Sequence, residues 1–355
     1  MKRLLSKIMV LFTFIFLGLG FYFLYTSYFK FTGNLEDLIG NGQLILDYSN
    51  LEDSKYTGEG ISVDTKYHPY YGLLNSNEQK LYRQVYDNLN NFNTTFVPRS
   101  EIDINSVDRV IEAVMNDNPE LFYVNNKYTY KYTNDNICRQ IIMEFNGLEK
   151  DYTSNKNSID KTVNEIIKGS YKYSSNYDKE KYVHDFLIDR LVYDTNFNYN
   201  QTIYSSLFNN KTVCAGYARA FQYIMNKIGI PTYYVTGTSK GESHAWNIVY
   251  LGDGYYNVDV TWDDVYNRSY NYFNLTDKSF SNSHTRNSLS IYLPKCNSTN
   301  NSYEKPVKVV PPVKNKKIEE EPIIEEEKET EEEIIDEKID EDEPAIEEKE
   351  EENIE

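Results

Sequence analysis

The sequence predicts an α+β protein in which a helix carrying a cysteine packs on an antiparallel sheet. Three stretches predict it. Residues 211–221 run from a loop into a helix and place Cys214 on its first turn. Residues 241–250 and 255–262 are two β-rich runs around a Gly252-Asp253-Gly254 turn, the pattern of a hairpin. Residues 76–146 mix helical and alternating patterns and read as a smaller α+β unit ahead of the cysteine.

In chain order, residues 8–28 are apolar and uncharged, long enough to cross a bilayer as a helix. Lys2, Arg3 and Lys7 precede this run, which puts the N-terminus in the cytoplasm and the rest outside. The run is long for a signal peptide, and no A-x-A cleavage site lies near its end. Residues 1–30 are therefore expected to be a single-pass membrane anchor, with secretion after cleavage as the alternative. Residues 31–75 are polar, with scattered Gly and Asn, and read as a linker with a short strand at 43–46.

From Asn77 the pattern is helical, with Leu81, Val85, Tyr86, Leu89 and Phe92 on one face. A second helix is expected over 106–115, capped by Asn105 or Ser106. Residues 121–131 and 137–145 alternate as strands. Residues 76–148 thus form a small unit, either a domain or an extension of the next, with a scaffold role expected. Residues 150–168 and 178–192 read as helices. His184, on the second of these, is expected to be an ordinary core or surface histidine. Residues 193–200 form a polar loop before the cysteine.

In the cysteine helix Tyr217, Phe221, Ile224 and Ile228 form an apolar stripe, while small residues at 215, 216, 218 and 220 permit close packing. Gly229 and Pro231 end it. A thiol on the first turn feels the positive end of the helix dipole, which favours thiolate. In the hairpin, pairing Tyr250 with Tyr255 sets Trp246 opposite Asp259. His244 then shares a face with Trp246 and lies diagonal to Asp259, roughly 7–8 Å away at the backbone. An odd slip in register would separate them. A cysteine on a helix with a histidine and an aspartate on adjacent strands is an arrangement of nucleophile, base and orienter. The three residues are isolated in sequence, with no C-x-x-C or H-x-x-x-H pair and no evident fourth ligand, so zinc is not expected.

Residues 182–264 resemble the transglutaminase-like superfamily in three boxes: Val213-Cys214-Ala215-Gly216-Tyr217-Ala218, Ser243-His244-Ala245-Trp246-Asn247, and Asn257-Val258-Asp259-Val260-Thr261-Trp262-Asp263. Their order matches, as does the spacing of thirty residues from Cys214 to His244 and fifteen to Asp259. The resemblance implies a papain-like core over 149–296, with Cys214, His244 and Asp259 as a catalytic triad. It implies acyl transfer or amide hydrolysis through a thioester, on protein or cell-wall peptide substrates at the cell surface. The family also holds strict peptidases and inactive members, so a cysteine peptidase and a non-catalytic surface scaffold are the alternatives. Its calcium-dependent animal members carry long added domains with no counterpart visible here, so the resemblance implies no obligatory metal, and no cofactor is expected.

Charge separates the tail from the body. Net charge is −18, yet residues 318–355 hold 22 Asp and Glu against 3 Lys, leaving 34 basic and 33 acidic groups elsewhere. The body is nearly neutral and has no basic field for nucleic acid. Residues 297–355 are expected to be a disordered acidic tail, opened by a Pro- and Lys-containing linker at 305–317. Besides Cys214 there are Cys138 and Cys296, which are left open as either one disulfide or two free thiols.

Overall fold

The computed structural model describes residues 35, 38–265 and 268–303. The expected membrane helix at 8–28 and the acidic tail beyond residue 303 lie outside them. Among the described residues no helix is long and apolar enough to cross a membrane. The chain divides into two units, Met1–Lys305 and Pro306–Glu355, and every described residue belongs to the first.

The chain begins with strand β1 (Ile39–Leu44), then helices α1 (Pro69–Gly72) and α2 (Ser76–Asn90). Strand β2 (Thr95–Phe96), helix α3 (Ile104–Asp117) and strands β3 (Val124–Tyr132) and β4 (Cys138–Phe145) follow. The four strands form one sheet in the order β1-β3-β4-β2. The expected linker is therefore corrected. β1 pairs in parallel with β3, from Ile39 beside Lys127 to Leu44 beside Tyr132, and starts earlier than the strand expected at 43–46. All six of its residues are exposed. An edge strand that holds on through its backbone alone needs no buried face, so its composition is that of a linker.

Helix α2 is closed by a capping box between Asn75 and Glu78. α3 starts before the expected cap: the Asp103 carboxylate accepts from the Asn105 N–H at 2.8 Å. Helices α4 (Tyr152–Ser170) and α5 (Asn176–Arg190) lie within two residues of their expected spans. Two short parallel strands, β5 (Val192–Tyr193) and β6 (Lys211–Thr212), bracket the polar loop and bring the chain to helix α6 (Cys214–Ile228).

α6 packs across a second sheet, ordered β10-β7-β8-β9. Its strands are β7 (Thr232–Ser239), β8 (Glu242–Tyr250), β9 (Tyr255–Val258) and β10 (His284–Arg286), all antiparallel. The hairpin has the expected register, with Tyr250 beside Tyr255 and Asn247 beside Val258. The second run is shorter than expected. β9 stops at Val258, and Asp259 caps helix α7 (Val260–Asp263), accepting from the Trp262 N–H at 3.1 Å. The carboxylate that was expected on a strand therefore sits at a strand-to-helix junction. Helix α8 (Asp277–Phe280) precedes β10.

Residues 76–148 share one unit with the cysteine helix, and buried and partly buried polar bonds join them. Arg219 donates to the Met115 carbonyl at 2.6 Å, and Gln222 to the Asn116 carbonyl at 2.9 Å. Tyr70 is fully buried; its hydroxyl donates to the Tyr234 carbonyl at 2.6 Å and meets the Ser290 hydroxyl at 2.7 Å. Asp117 accepts from the Tyr70 and Tyr71 N–H groups, and its burial raises its pKa well above the usual carboxylate range against those donors. Tyr70→Phe leaves the buried Tyr234 carbonyl short of a donor and the Ser290 hydroxyl short of an acceptor, and is expected to cost about 1–3 kcal/mol, read from urea unfolding. A cost below about 0.5 kcal/mol, within the range of ordinary surface substitutions, would show that this hydroxyl does not tie the two regions together.

Candidate active site

Cys214 is the first residue of α6, reached through an extended Val213. Thr212 fixes the approach by donating its hydroxyl to the Asn200 carbonyl at 2.5 Å. The crossing is tight: a Cβ on Gly216 would stand 1.7 Å from the Thr212 hydroxyl oxygen, so only glycine fits. The sulfur lies in a small apolar cluster of Ala215, Ala218, Tyr234 and Ala245, with Leu35 packed against it. Cys214 is 1% exposed.

His244 stands on β8 opposite Gly237 of β7. A Cβ at Gly237 would meet the Thr285 carbonyl at 2.1 Å and the Trp246 ring at 2.5 Å, so glycine lets β10 and the indole close in. The His244 Nε2–H donates to Asp259 Oδ2 at 2.6 Å, and the ring interacts with the Cys214 thiol by a hydrogen bond. The structure thus brings together all three residues singled out from the sequence.

It also brings a fourth. The Nε2–H of His284, on β10, donates to the same Asp259 Oδ2 at 3.0 Å, while its Nδ1 accepts from the Ser283 hydroxyl at 2.8 Å. Phe280 stacks on its ring at 4.0 Å, and Trp246 and Trp262 complete an aromatic box. His284 is far from the three boxes, in a stretch without evident periodicity. The only signal was scarcity, since the chain has four histidines.

These contacts separate the two imidazoles. Burial works against charge on His244, but the Asp259 carboxylate and the Cys214 thiol outweigh it and raise the pKa well above that of an ordinary histidine. For His284 burial wins over the hydrogen bond to Asp259, and its pKa falls. Burial likewise opposes the Asp259 charge, but the two rings outweigh it and hold the carboxyl below its usual range. The carboxylate is 0% exposed and has three donors, the two rings and the Trp262 N–H.

His244, Asp259 and His284 are also the one group among the described residues whose ligand atoms could share a metal ion, all within 4.8 Å. Those atoms are already matched as donors and acceptor, so the cluster is complete as a hydrogen-bonded network. His184 is fully buried and bonds Asp263 at 3.2 Å and Asp185 at 3.1 Å, a core histidine. Cys138 and Cys296 are both free and buried, which settles their open pairing as two thiols. Burial pushes the Cys138 thiol up to about 12 and raises that of Cys296 further.

Residues 161–260 match the family model described as the transglutaminase-like superfamily. No curated protein matches the chain. Three solved structures resemble it remotely. A crystal structure of a TGase is 18% identical over 47% of this chain and 50% of its own, with a TM-score of 0.27. A candidate cysteine protease from Cytophaga hutchinsonii is 19% identical over 36% and 41%, TM-score 0.29. The periplasmic domain of TgpA from Pseudomonas aeruginosa is 17% identical over 29% and 42%, TM-score 0.25. The chain spans half or less of the length of each. Within this mixed α+β fold, the similarity to the transglutaminase-like superfamily thus extends over residues 161–260.

Proposed function

We propose that the protein is a cysteine enzyme acting outside the cytoplasm, held at the membrane by residues 8–28, with Cys214 as nucleophile, His244 as base and Asp259 as orienter. One observation carries the reading: a single imidazole is held between a buried carboxylate at 2.6 Å and the thiol on the first turn of α6. His244 takes the proton of Cys214. The thiolate attacks the carbonyl carbon of a carboxamide or peptide bond. The Cys214 backbone N–H, at a helix start where it has no intrahelical partner, stabilises the oxyanion. As the tetrahedral intermediate collapses, the C–N bond breaks and the amine leaves with the proton from His244. The thioester is then resolved by an amine, giving a cross-link, or by water, giving hydrolysis. Asp259 fixes the tautomer throughout, so Nδ1 faces the sulfur. The substrate class in this reading is protein or wall peptide at the cell surface.

The test is alkylation of the full-length protein in detergent with iodoacetamide near pH ~6, beside Cys214→Ser. Cys138 and Cys296 are buried with raised pKa values and form a quiet background. Labelling confined to Cys214, at least ~10-fold faster than a free cysteine, is expected. Labelling no faster than an ordinary thiol would favour the non-catalytic scaffold. A primary-amine tracer with a glutamine-rich acceptor then separates transfer from hydrolysis.

Asp259→Asn removes the charge that favours imidazolium. Labelling of Cys214 at mildly acid pH is expected to fall at least ~10-fold, one pKa unit being about 1.4 kcal/mol. The pH dependence of stability has a definite sign. His244, raised in the fold, stabilises below its ordinary pKa of ~6.5 and loses this as pH rises through the folded value. Asp259, depressed, stabilises above ~3.9 and loses this as pH falls. The substitution should therefore cost more near pH ~5 than near pH ~10. Equal costs in urea unfolding at the two pH values would show that the pair is not charged in the native state.

A further inference from the structure

Beside Cys214 opens a cleft of about 340 Å³. Its wall includes Tyr234, which packs against the cysteine, and Ser243, next to His244 in the chain. Two other residues of the wall can donate to a bound molecule. Asn116 is 4% exposed, and its Nδ2 has no hydrogen-bond partner. A buried amide N–H left in that state is costly, and native proteins rarely keep one without a use. Arg219 donates to the Met115 carbonyl at 2.6 Å, and its guanidinium lies 4.3 Å from the centre of the Tyr234 ring. It forms no ion pair with a carboxylate among the described residues, although a guanidinium has five N–H groups to satisfy.

Tyr234 interacts with Arg219 on one side and with Cys214 on the other. The guanidinium is thus one side chain removed from the sulfur. The carboxylates in this cleft do not serve it. Glu112 accepts from the Ser288 hydroxyl and from the Leu289 N–H at 3.3 Å, and Asp108 accepts from the Tyr128 hydroxyl. Among the described residues, no carboxylate pairs with Arg219 and no acceptor meets Asn116 Nδ2, and a bound molecule can bring one.

We propose that Arg219 and Asn116 form a subsite for a substrate carboxylate, so that the acyl donor carries an acidic side chain or a free C-terminus close to the amide that Cys214 attacks. This rests on Cys214 being the nucleophile. A guanidinium and an amide N–H on one carboxylate give charge-assisted bonds with fixed geometry, which sets the register of the substrate as well as its affinity. Arg219 also lines a second cleft of about 210 Å³, shared through Met115, Asn126 and Gln201, so the chain of a longer substrate has a path beyond the subsite.

The test uses affinity alkylators on the full-length protein: iodoacetyl-glycine and iodoacetyl-diglycine, each as free acid and as C-terminal amide, and iodoacetyl-aspartate amide. At low salt one of the acids is expected to alkylate Cys214 about tenfold faster than its amide, an advantage that high salt erodes. The diglycine acid against the aspartate amide distinguishes a C-terminal from a side-chain carboxylate. Arg219→Gln should bring the acid-to-amide ratio to near unity, Asn116→Leu should lower it, and Arg219→Lys should keep most of it. A wild-type ratio near unity for every acid, or a ratio untouched by Arg219→Gln in protein of unchanged far-ultraviolet circular dichroism, would overturn the subsite. Slow labelling by all the reagents would instead overturn the nucleophile reading, while the ratio would still decide the subsite.

Discussion

The site depends on one buried carboxylate. Asp259 is taken wholly out of water, and an unpaired charge in that position would cost several kcal/mol. Three donors compensate it, one from each of three elements: His244 on β8, His284 on β10, and the Trp262 N–H of the turn that Asp259 itself caps. Removing any of them leaves part of that charge unmet. The carboxylate therefore fixes where the edge strand β10 lies, where β9 ends and how the His244 ring is turned. A single negative charge between two imidazoles also cannot favour protonation of both. The ring that faces the thiol is the one raised, and the ring enclosed by Phe280, Trp246 and Trp262 is the one lowered. Charge is thereby assigned to the ring next to the sulfur. A neutral His284, taking the Ser283 hydroxyl on Nδ1, is left to hold the carboxylate in place.

The second constraint is the polar seam between the region before residue 148 and α6. Carbonyls at the end of α3 accept from Arg219 and Gln222, and Tyr70 spans to the backbone of β7. The Gln222 and Tyr70 bonds are buried and the Arg219 bond partly so, and buried polar partners fix position more strictly than apolar contact does. The cleft beside Cys214 is built across this seam, with Asn116 from one side and Arg219 and Tyr234 from the other. A scaffold role for residues 76–148 is therefore too narrow: they supply part of the wall next to the thiol.

What could be read from the sequence follows from the range of the interactions involved. The register of β8 with β9 was legible because a short turn fixes it and side chains alternate with a strict period of two. The cysteine helix was legible from its stripe and its Gly229 stop. The end of β9 was not. Val258, Val260 and Thr261 favour a strand, but the Asp259 side chain bonds the Trp262 N–H, and that local cap turns the chain into α7. β1 was only partly legible, at residues 43–44, because an exposed edge strand has no apolar face to mark its start. His284 was hidden for another reason. Its place is set by pairing of β10 with β7, a contact between segments more than forty residues apart, and nothing local encodes it.

Burial of the sulfur bears on which nucleophile resolves a thioester there. Cys214 is 1% exposed beneath Leu35 and Tyr234, and the adjoining indoles of Trp246 and Trp262 narrow the approach to His244. A thioester formed in such a place would be shielded by the substrate that formed it. Water would then compete poorly against an amine delivered along the cleft, because electrostatic guidance and positioning act on the amine alone. With Glu112 and Asp108 on the wall and Arg219 engaged by an acyl donor, the charge left facing an incoming amine is negative. Asp108 and Glu112 already outnumber Arg219 in the free cleft, so a bound substrate carboxylate would strengthen the attraction for an ammonium group rather than create it.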